Sequence, residues 1–155
     1  MRALQSNIAN TYQALGRKEE AVCLRRDIYS ASLRLNGKEH GSTLVDAFNY
    51  ETSLVTLERY QEAKALLRKT VPIARRVLGE GDICTIRMRN IYALALYEDP
   101  VATLDDLREV VTTFEDTERT ARHVLGGAHP VTVDIEEHLQ ESRATLRARA
   151  TPSPR

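Results

Sequence analysis

Three histidines, His123, His129 and His138, lie close together in the sequence, with Glu136 and Glu137 alongside. Imidazole and carboxylate are metal donors, but a metal site needs three or four of them converging at about 2 Å. His129 stands between Gly126-Gly127-Ala128 and Pro130, in a turn where its ring serves better as a helix cap, so no metal site is expected. Cys23 has no sequence-local histidine to make it a nucleophile. Cys23 and Cys84, the only cysteines, do not make a disulfide framework and are expected as buried, reduced thiols. There is no Gly-x-x-x-x-Gly-Lys-Ser/Thr loop and no Gly-x-Gly-x-x-Gly, so nothing is suited to cradle a phosphate. Asp105 with Asp106, and Glu136 with Glu137, are adjacent pairs. Adjacent helical residues point about 100° apart, so neither pair forms a carboxylate dyad. The reading is a protein that is not an enzyme and uses no cofactor.

Binding chemistry remains, and composition narrows it. The 155 residues suit one domain, and 42% hydrophobic residues can form its core. Lys+Arg 22 balances Asp+Glu 22, so charge draws the chain toward neither nucleic acid nor an anionic membrane. With no Trp and two Phe, stacking platforms for RNA are scarce. No apolar run is long enough to span a membrane, and the polar N-terminus lacks a signal-peptide core, so a cytoplasmic protein is expected.

The elements follow from a recurring punctuation: Leu35-Asn36-Gly37…Thr43, Leu78-Gly79…Thr85 and Leu125-Gly126…Thr132. The threonines are 42 and 47 residues apart, a spacing typical of stacked repeats. Between the marks, apolar residues fall at helical period: Leu4, Ile8, Tyr12 and Leu15; Ala21, Leu24, Ile28 and Leu35; Tyr50, Leu54 and Leu57; Ala63, Leu67, Val71 and Leu78; Ile86, Ala93 and Tyr97; Leu107, Val111, Phe114 and Leu125; Ile135, Leu139 and Leu146. Glycines just past Leu-ended helices suit left-handed C-terminal caps. Pro72 should bend the fourth helix. The third unit should have a shorter internal turn and a longer second helix. A helical repeat domain over 1–148 is expected, with units near 2–36, 42–78 and 84–125, a closing helix at 131–148 and a disordered tail at 149–155.

Ala9-x-x-Tyr12-x-x-x-Gly16-Arg17-x-x-Glu20-Ala21 resembles the tetratricopeptide repeat. The second unit departs from that pattern with Glu51 for the small residue and Leu54 for the tyrosine, and the third degrades the turn to Glu98-Asp99-Pro100. The 42-residue step and Gly126-Gly127-Ala128-His129-Pro130-Val131-Thr132 are similar to the longer, kinesin-light-chain type of the repeat. HEAT and armadillo repeats have similar periods but lack a counterpart to the Gly-Arg-x-x-Glu-Ala turn. The resemblance implies an all-α, right-handed α-solenoid of about three antiparallel helix pairs plus a C-terminal capping helix. Tyr12 would wedge into the next helix.

In such arrays the first helix of each pair lines a concave groove. Helical phase then assigns Ser6, Asn7, Asn10 and Gln13 to it, followed by Val45, Phe48, Asn49, Thr52 and Val55, then Arg87, Asn90, Leu94 and Tyr97. The strongest candidates for peptide binding are Asn7, Asn10, Asn49, Thr52, Arg87 and Asn90. An asparagine amide both donates to and accepts from a peptide backbone, and Arg87 suits an acidic side chain or terminal carboxylate. The arginines of the second helices, Arg25, Arg26, Arg34, Arg75, Arg76, Arg119 and Arg122, read as a solvated outer surface. The expected role is a scaffold holding a protein or peptide ligand, with no nucleic acid and no membrane. The alternative is a regulatory or assembly segment of a larger protein, such as a sensor ATPase, or a self-associating module. It rests on Leu4 and Ile8, which no preceding repeat covers at the N-terminal edge.

Overall fold

The computed structural model describes residues 2–151. Among them the chain forms seven helices and no strand: α1 (Arg2–Ala14), α2 (Lys18–Asn36), α3 (Gly41–Thr56), α4 (Tyr60–Val77), α5 (Ile83–Tyr97), α6 (Leu104–Leu125) and α7 (Pro130–Ala150). Consecutive helices pack on one another, giving three hairpins and a closing helix. The odd-numbered helices α3, α5 and α7 also touch in sequence, whereas α2, α4 and α6 do not touch each other. An inner row and an outer row result, as in a repeat solenoid. No described helix is long and apolar enough to cross a membrane.

The punctuation is a joint. Gly37 and Gly126 take φ of +80° and +90° just past α2 and α6, a backbone that a Cβ would strain. A few residues later His40, Asp82 and His129 cap α3, α5 and α7. Their side chains accept from the amides of Ser42, Cys84 and Val131 at 3.2, 2.8 and 3.2 Å. The next positions, Thr43, Thr85 and Thr132, are fully buried. Thr43 Oγ1 donates to the backbone carbonyl of Ser32 in α2 at 3.3 Å.

Gly16 and Glu58, 42 residues apart, turn the first two hairpins with φ of +76° and +58°. In each, the following arginine clamps a glutamate three residues on: Arg17 with Glu20, and Arg59 with Glu62 through two bonds of 2.8 and 2.7 Å. Arg17 also lies 4.4 Å over the Tyr12 ring, so Tyr12 braces its own turn. The next place in the period is Pro100, whose ring holds φ near −65°. That turn therefore cannot form, and the third connection is longer, not shorter as the sequence suggested. It runs from 98 to 103, against three residues in each of the first two. Asp99 takes over the clamp. Its Oδ2 accepts from Lys64 Nζ at 2.6 Å and Gln61 Nε2 at 2.7 Å, both on α4, and its Oδ1 accepts from Val101 N at 3.1 Å. Lys64 holds the Asp99 carboxyl below its ordinary range. A reciprocal Thr103–Asp106 capping box then starts α6, which at 22 residues is the longest helix, as expected.

Pro72 sits exposed inside α4, which continues through it. Two further expectations need adjustment. Cys23 is exposed rather than buried, while burial pushes the half-buried Cys84 thiol up to about 11. Helix α7 continues through Ala150, so 149–150 are helical, and positions 152–155 of the expected tail lie outside the described residues.

Glu51 is the anomaly of the core. Its positional equivalents are Ala9 and Ala93, yet this glutamate is fully buried. Thr70 Oγ1 of α4 donates to its Oε1 at 2.5 Å, and its Oε2 has no partner. Desolvation raises its pKa from 4.5 to about 8, opposed by the Thr70 hydrogen bond. The folded chain thus holds a neutral carboxyl that the unfolded chain ionises above 4.5. Its contribution to stability is full below that value and is lost as pH rises toward about 8. Melting should therefore fall between pH 5 and pH 8 by an amount equivalent to roughly 3–5 kcal/mol, and Glu51→Gln should remove that slope; equal slopes in thermal scans of the two proteins would contradict it. Asp99→Ala should cost about 3 kcal/mol in urea unfolding at neutral pH by stranding Lys64. The carboxylate's depressed pKa means its contribution persists above 3.8 and disappears only as pH falls below that. A loss under about 0.5 kcal/mol would show the clamp to be dispensable.

Candidate functional site

The sequence-assigned groove residues divide between an open cleft and a closed contact. Ser6 and Asn10 of α1, Arg25 and Ile28 of α2, and Asp46 and Asn49 of α3 line one cleft. It opens outward past Gln13, Ala14, Phe48 and Thr52. Asn10, Asn49 and Thr52 are thus brought together. Asn7 is exposed on α1 outside this lining. Arg87 is exposed on α5, one unit further along. Asn90 is buried: its amide donates to Asp134 of α7 at 3.2 Å, and its own Oδ1 is enclosed without a partner. Tyr97, hydrogen-bonded to Thr145 of α7 at 3.1 Å, is closed off in the same way. The closing helix therefore occupies the wall that the third unit was expected to offer.

Arg25 organises the cleft, and the sequence reading had placed it on the outer surface. Its Nη1 donates to the Asn49 carbonyl at 3.0 Å and to Ser53 Oγ at 2.7 Å, and its Nη2 donates to Asn10 Oδ1 at 2.7 Å. One guanidinium thereby reaches from α2 to both α1 and α3. Every one of these acceptors is neutral, and no carboxylate lies within ion-pair distance among the described residues. Partial burial pulls its pKa below the ordinary arginine range, and no acidic neighbour raises it. Asp46, buried on the same wall, accepts from Ser32 Oγ at 2.5 Å. Among the described residues the Asn49 side-chain amide has no hydrogen-bond partner, while the Thr52 hydroxyl is spent on the Phe48 carbonyl at 2.8 Å.

The repeat explains why a cleft exists here. Stepping by 42 and then 47 residues carries Arg25 to Leu67 and Phe114, both fully buried core residues. Phe114 stacks on His138 of α7 with ring centroids 5.8 Å apart. At that point the first unit has a charged fork in place of an apolar plug, and α1 touches α2 but not α3. Comparing units position by position was the signal that could have found Arg25; helical phase alone reads any arginine as solvent-facing. Among the described residues no three His, Cys, Asp or Glu side chains group to hold a metal.

Residues 52–83, from mid-α3 through α4 to the start of α5, match the tetratricopeptide repeat. None of the curated proteins matches the chain. Among solved structures it is similar to the nearly identical TPR-like repeats of a protein described as a kinesin light chain from Podosopora anserina. That likeness has a TM-score of 0.78 at 20% identity and covers 97% of this chain and 77% of the other. It is also similar to BtubC (BKLC) from P. vanneervenii, with a TM-score of 0.59 at 14% identity, covering 99% of this chain and 67% of the other. The architecture expected from the sequence is the one found: an all-α repeat fold of this type.

Arg25→Leu, which installs the residue found at the equivalent place in the second unit, should raise the melting temperature by a few degrees. A leucine there fills the gap between α1 and α3, and about 1 kcal/mol corresponds to roughly 2–4 °C in a chain of this size. A fall of several degrees in differential scanning calorimetry would mean the guanidinium is a structural tie.

Proposed function

We propose that this chain, a tetratricopeptide-repeat solenoid of the kinesin-light-chain type in its fold, is a protein-interaction module that holds an extended peptide between α1 and α3. The observation that carries this reading is the Arg25 guanidinium, seated in the cleft on neutral acceptors alone. A charge held in this way lacks a counter-ion. An acidic side chain or terminal carboxylate of a ligand would provide one through a bond about twice as strong as a neutral pair. The Asn49 amide stands beside it, able to donate to and accept from the ligand backbone. Asn10 would share Arg25 with the ligand. Arg87, exposed on the next inner helix, extends the positive wall, and Asn7 flanks its other end. Asn90 has no part in this, being committed to α7. The α3 wall is fixed by α2, α4 and α5 around it, so little ordering cost falls on that side of the cleft.

A second reading, an assembly segment, draws on a different observation. Leu4 and Leu15 of α1 are 63% and 67% exposed, and Ile8 37%, so one face of the first helix is apolar and uncovered.

Fluorescence polarisation against a library of acidic and neutral peptides tests the first reading. Wild type should select acidic peptides, with affinity falling as salt rises. Arg25→Leu should weaken them at least tenfold, about 1.4 kcal/mol, and the Asn49→Ala/Arg87→Glu double variant should weaken them further. Equal binding by wild type and Arg25→Leu would remove Arg25 from the site.

A further inference from the structure

The inner helices carry one concave stripe, with three equivalent places on each helix. Stepping along the repeat, these are Ala3, Ser6 and Asn10 on α1, Val45, Phe48 and Thr52 on α3, Arg87, Asn90 and Leu94 on α5, and Asp134, Glu137 and Glu141 on α7. Their chemistry changes from one end to the other. At the α1 end the charge is that of Arg25, whose Nη2 donates to Asn10. In the middle Val45 is 46% exposed and Phe48 and Leu94 are half-buried, so they form an apolar shelf, with Arg87 exposed beside it. On α7 all three places are carboxylates. Glu137 and Glu141 are exposed, and among the described residues no cation lies within ion-pair distance of either. The sign of the groove therefore reverses between α5 and α7.

A second observation marks the α7 end as a place for a cation. Asn90, which takes no part at the Arg25 end, donates its amide N–H to Asp134 Oδ2 at 3.2 Å. Its side chain is 7% exposed, and its Oδ1 has no hydrogen-bond partner among the described residues. With roughly 2.2 Å between the oxygen and nitrogen of one amide and 3.2 Å from that nitrogen to Asp134, the two oxygens are at most about 5.4 Å apart. An ammonium held between two oxygens at ~2.8 Å each spans about that distance. His138 Nδ1, 3.8 Å from the same Asp134 oxygen, is likewise without a hydrogen bond.

We infer that the α7 end of the groove takes a basic side chain of the ligand. The ligand is then an extended segment with an acidic residue on Arg25, apolar residues on the α3–α5 shelf, and a lysine or arginine on Asp134, Glu137 and Glu141. The inference rests on the peptide-binding reading and adds the ligand's charge order and orientation. Charge complementarity selects this occupant. A wholly acidic segment would set like charges against α7, and a wholly apolar one would leave Arg25 without a counter-ion. Arg25 reaches both α1 and α3, so about two and a half helix spacings, roughly 20–25 Å, separate it from α7. An extended chain covers that distance in about seven residues.

Fluorescence polarisation with four peptides of one length tests the charge order. The first has a glutamate and a lysine about seven residues apart, with apolar residues between them. The second has norleucine for the lysine, the third has glutamate for the lysine, and the fourth moves the lysine next to the glutamate. Wild type should bind the first at least about fivefold more tightly than the second or fourth, and the third should gain nothing from its extra charge. Glu137→Lys/Glu141→Lys, at two exposed positions, should leave the circular-dichroism melt unaltered and shift the preference to the third peptide. Arg25→Leu should weaken all four. A benzophenone beside the ligand lysine should cross-link to α7, and one beside its glutamate to α1 or α3. Equal binding of the first and second peptides by wild type, or a lysine end that cross-links to α1, would overturn the inference; if Arg25→Leu still weakens those peptides, the peptide-binding reading stands. Binding that ignores Arg25 would overturn both.

Discussion

Each inner helix after the first buries one stripe of side chains against the outer helix that precedes it, and the remaining features of the structure follow from that contact. The stripe runs through Asp46, Tyr50 and Leu54 in α3, Met88, Tyr92 and Leu96 in α5, and Ile135 and Leu139 in α7. Contacts stay between neighbours, so the core is not one cluster but a chain of them: one around Leu44, Leu54, Leu67 and Met88, the next around Ile86, Leu96, Phe114 and Ile135. In such a stack each joint is an independent design problem. The caps at His40, Asp82 and His129 and the buried threonines that follow them are three copies of one solution.

Where a joint departs from that solution, a local chemistry takes its place. Pro100 forbids the left-handed turn, and Asp99 with Lys64 substitutes a buried ion pair for the exposed Arg–Glu clamp. Glu51 replaces an alanine and brings a carboxyl that only a threonine hydroxyl meets. Arg25 replaces a core leucine and opens a cleft. The Arg25 and Glu51 exceptions trade packing for polarity, a trade that natural proteins tolerate where it serves a function. Of the two, Arg25 faces a space that a ligand can enter, whereas Glu51 is sealed; the first reads as a site and the second as a source of pH dependence.

The sequence carried the architecture because glycine, threonine and apolar spacing are local signals. The period located the joints, and Tyr60-Gln61-Glu62-Ala63 located a turn even where the tyrosine before it was lost. It could not carry the third turn's length, since that depends on where Asp99 finds Lys64 on another hairpin. Nor could it carry the inward course of Arg25. Helical phase sorts residues by polarity, and a guanidinium that is half-buried because three neutral oxygens receive it looks the same as one in water. Asn90 failed for the complementary reason: its phase was read correctly as inner, but α7 lies over that position. Asn10, Asn49 and Thr52 line one cleft because α1, unlike α5, does not pack on α3.

A stack held only by neighbour contacts, with an arginine in place of the plug in its first unit, should open from that end. Native-state hydrogen exchange measures this helix by helix. The account requires the amides of α1 to exchange through an opening several kcal/mol below global unfolding, while α4 to α6 exchange only globally. It also requires Arg25→Leu to raise the protection of α1 without altering that of α6. Equal protection across all seven helices, or no response of α1 to the substitution, would contradict it.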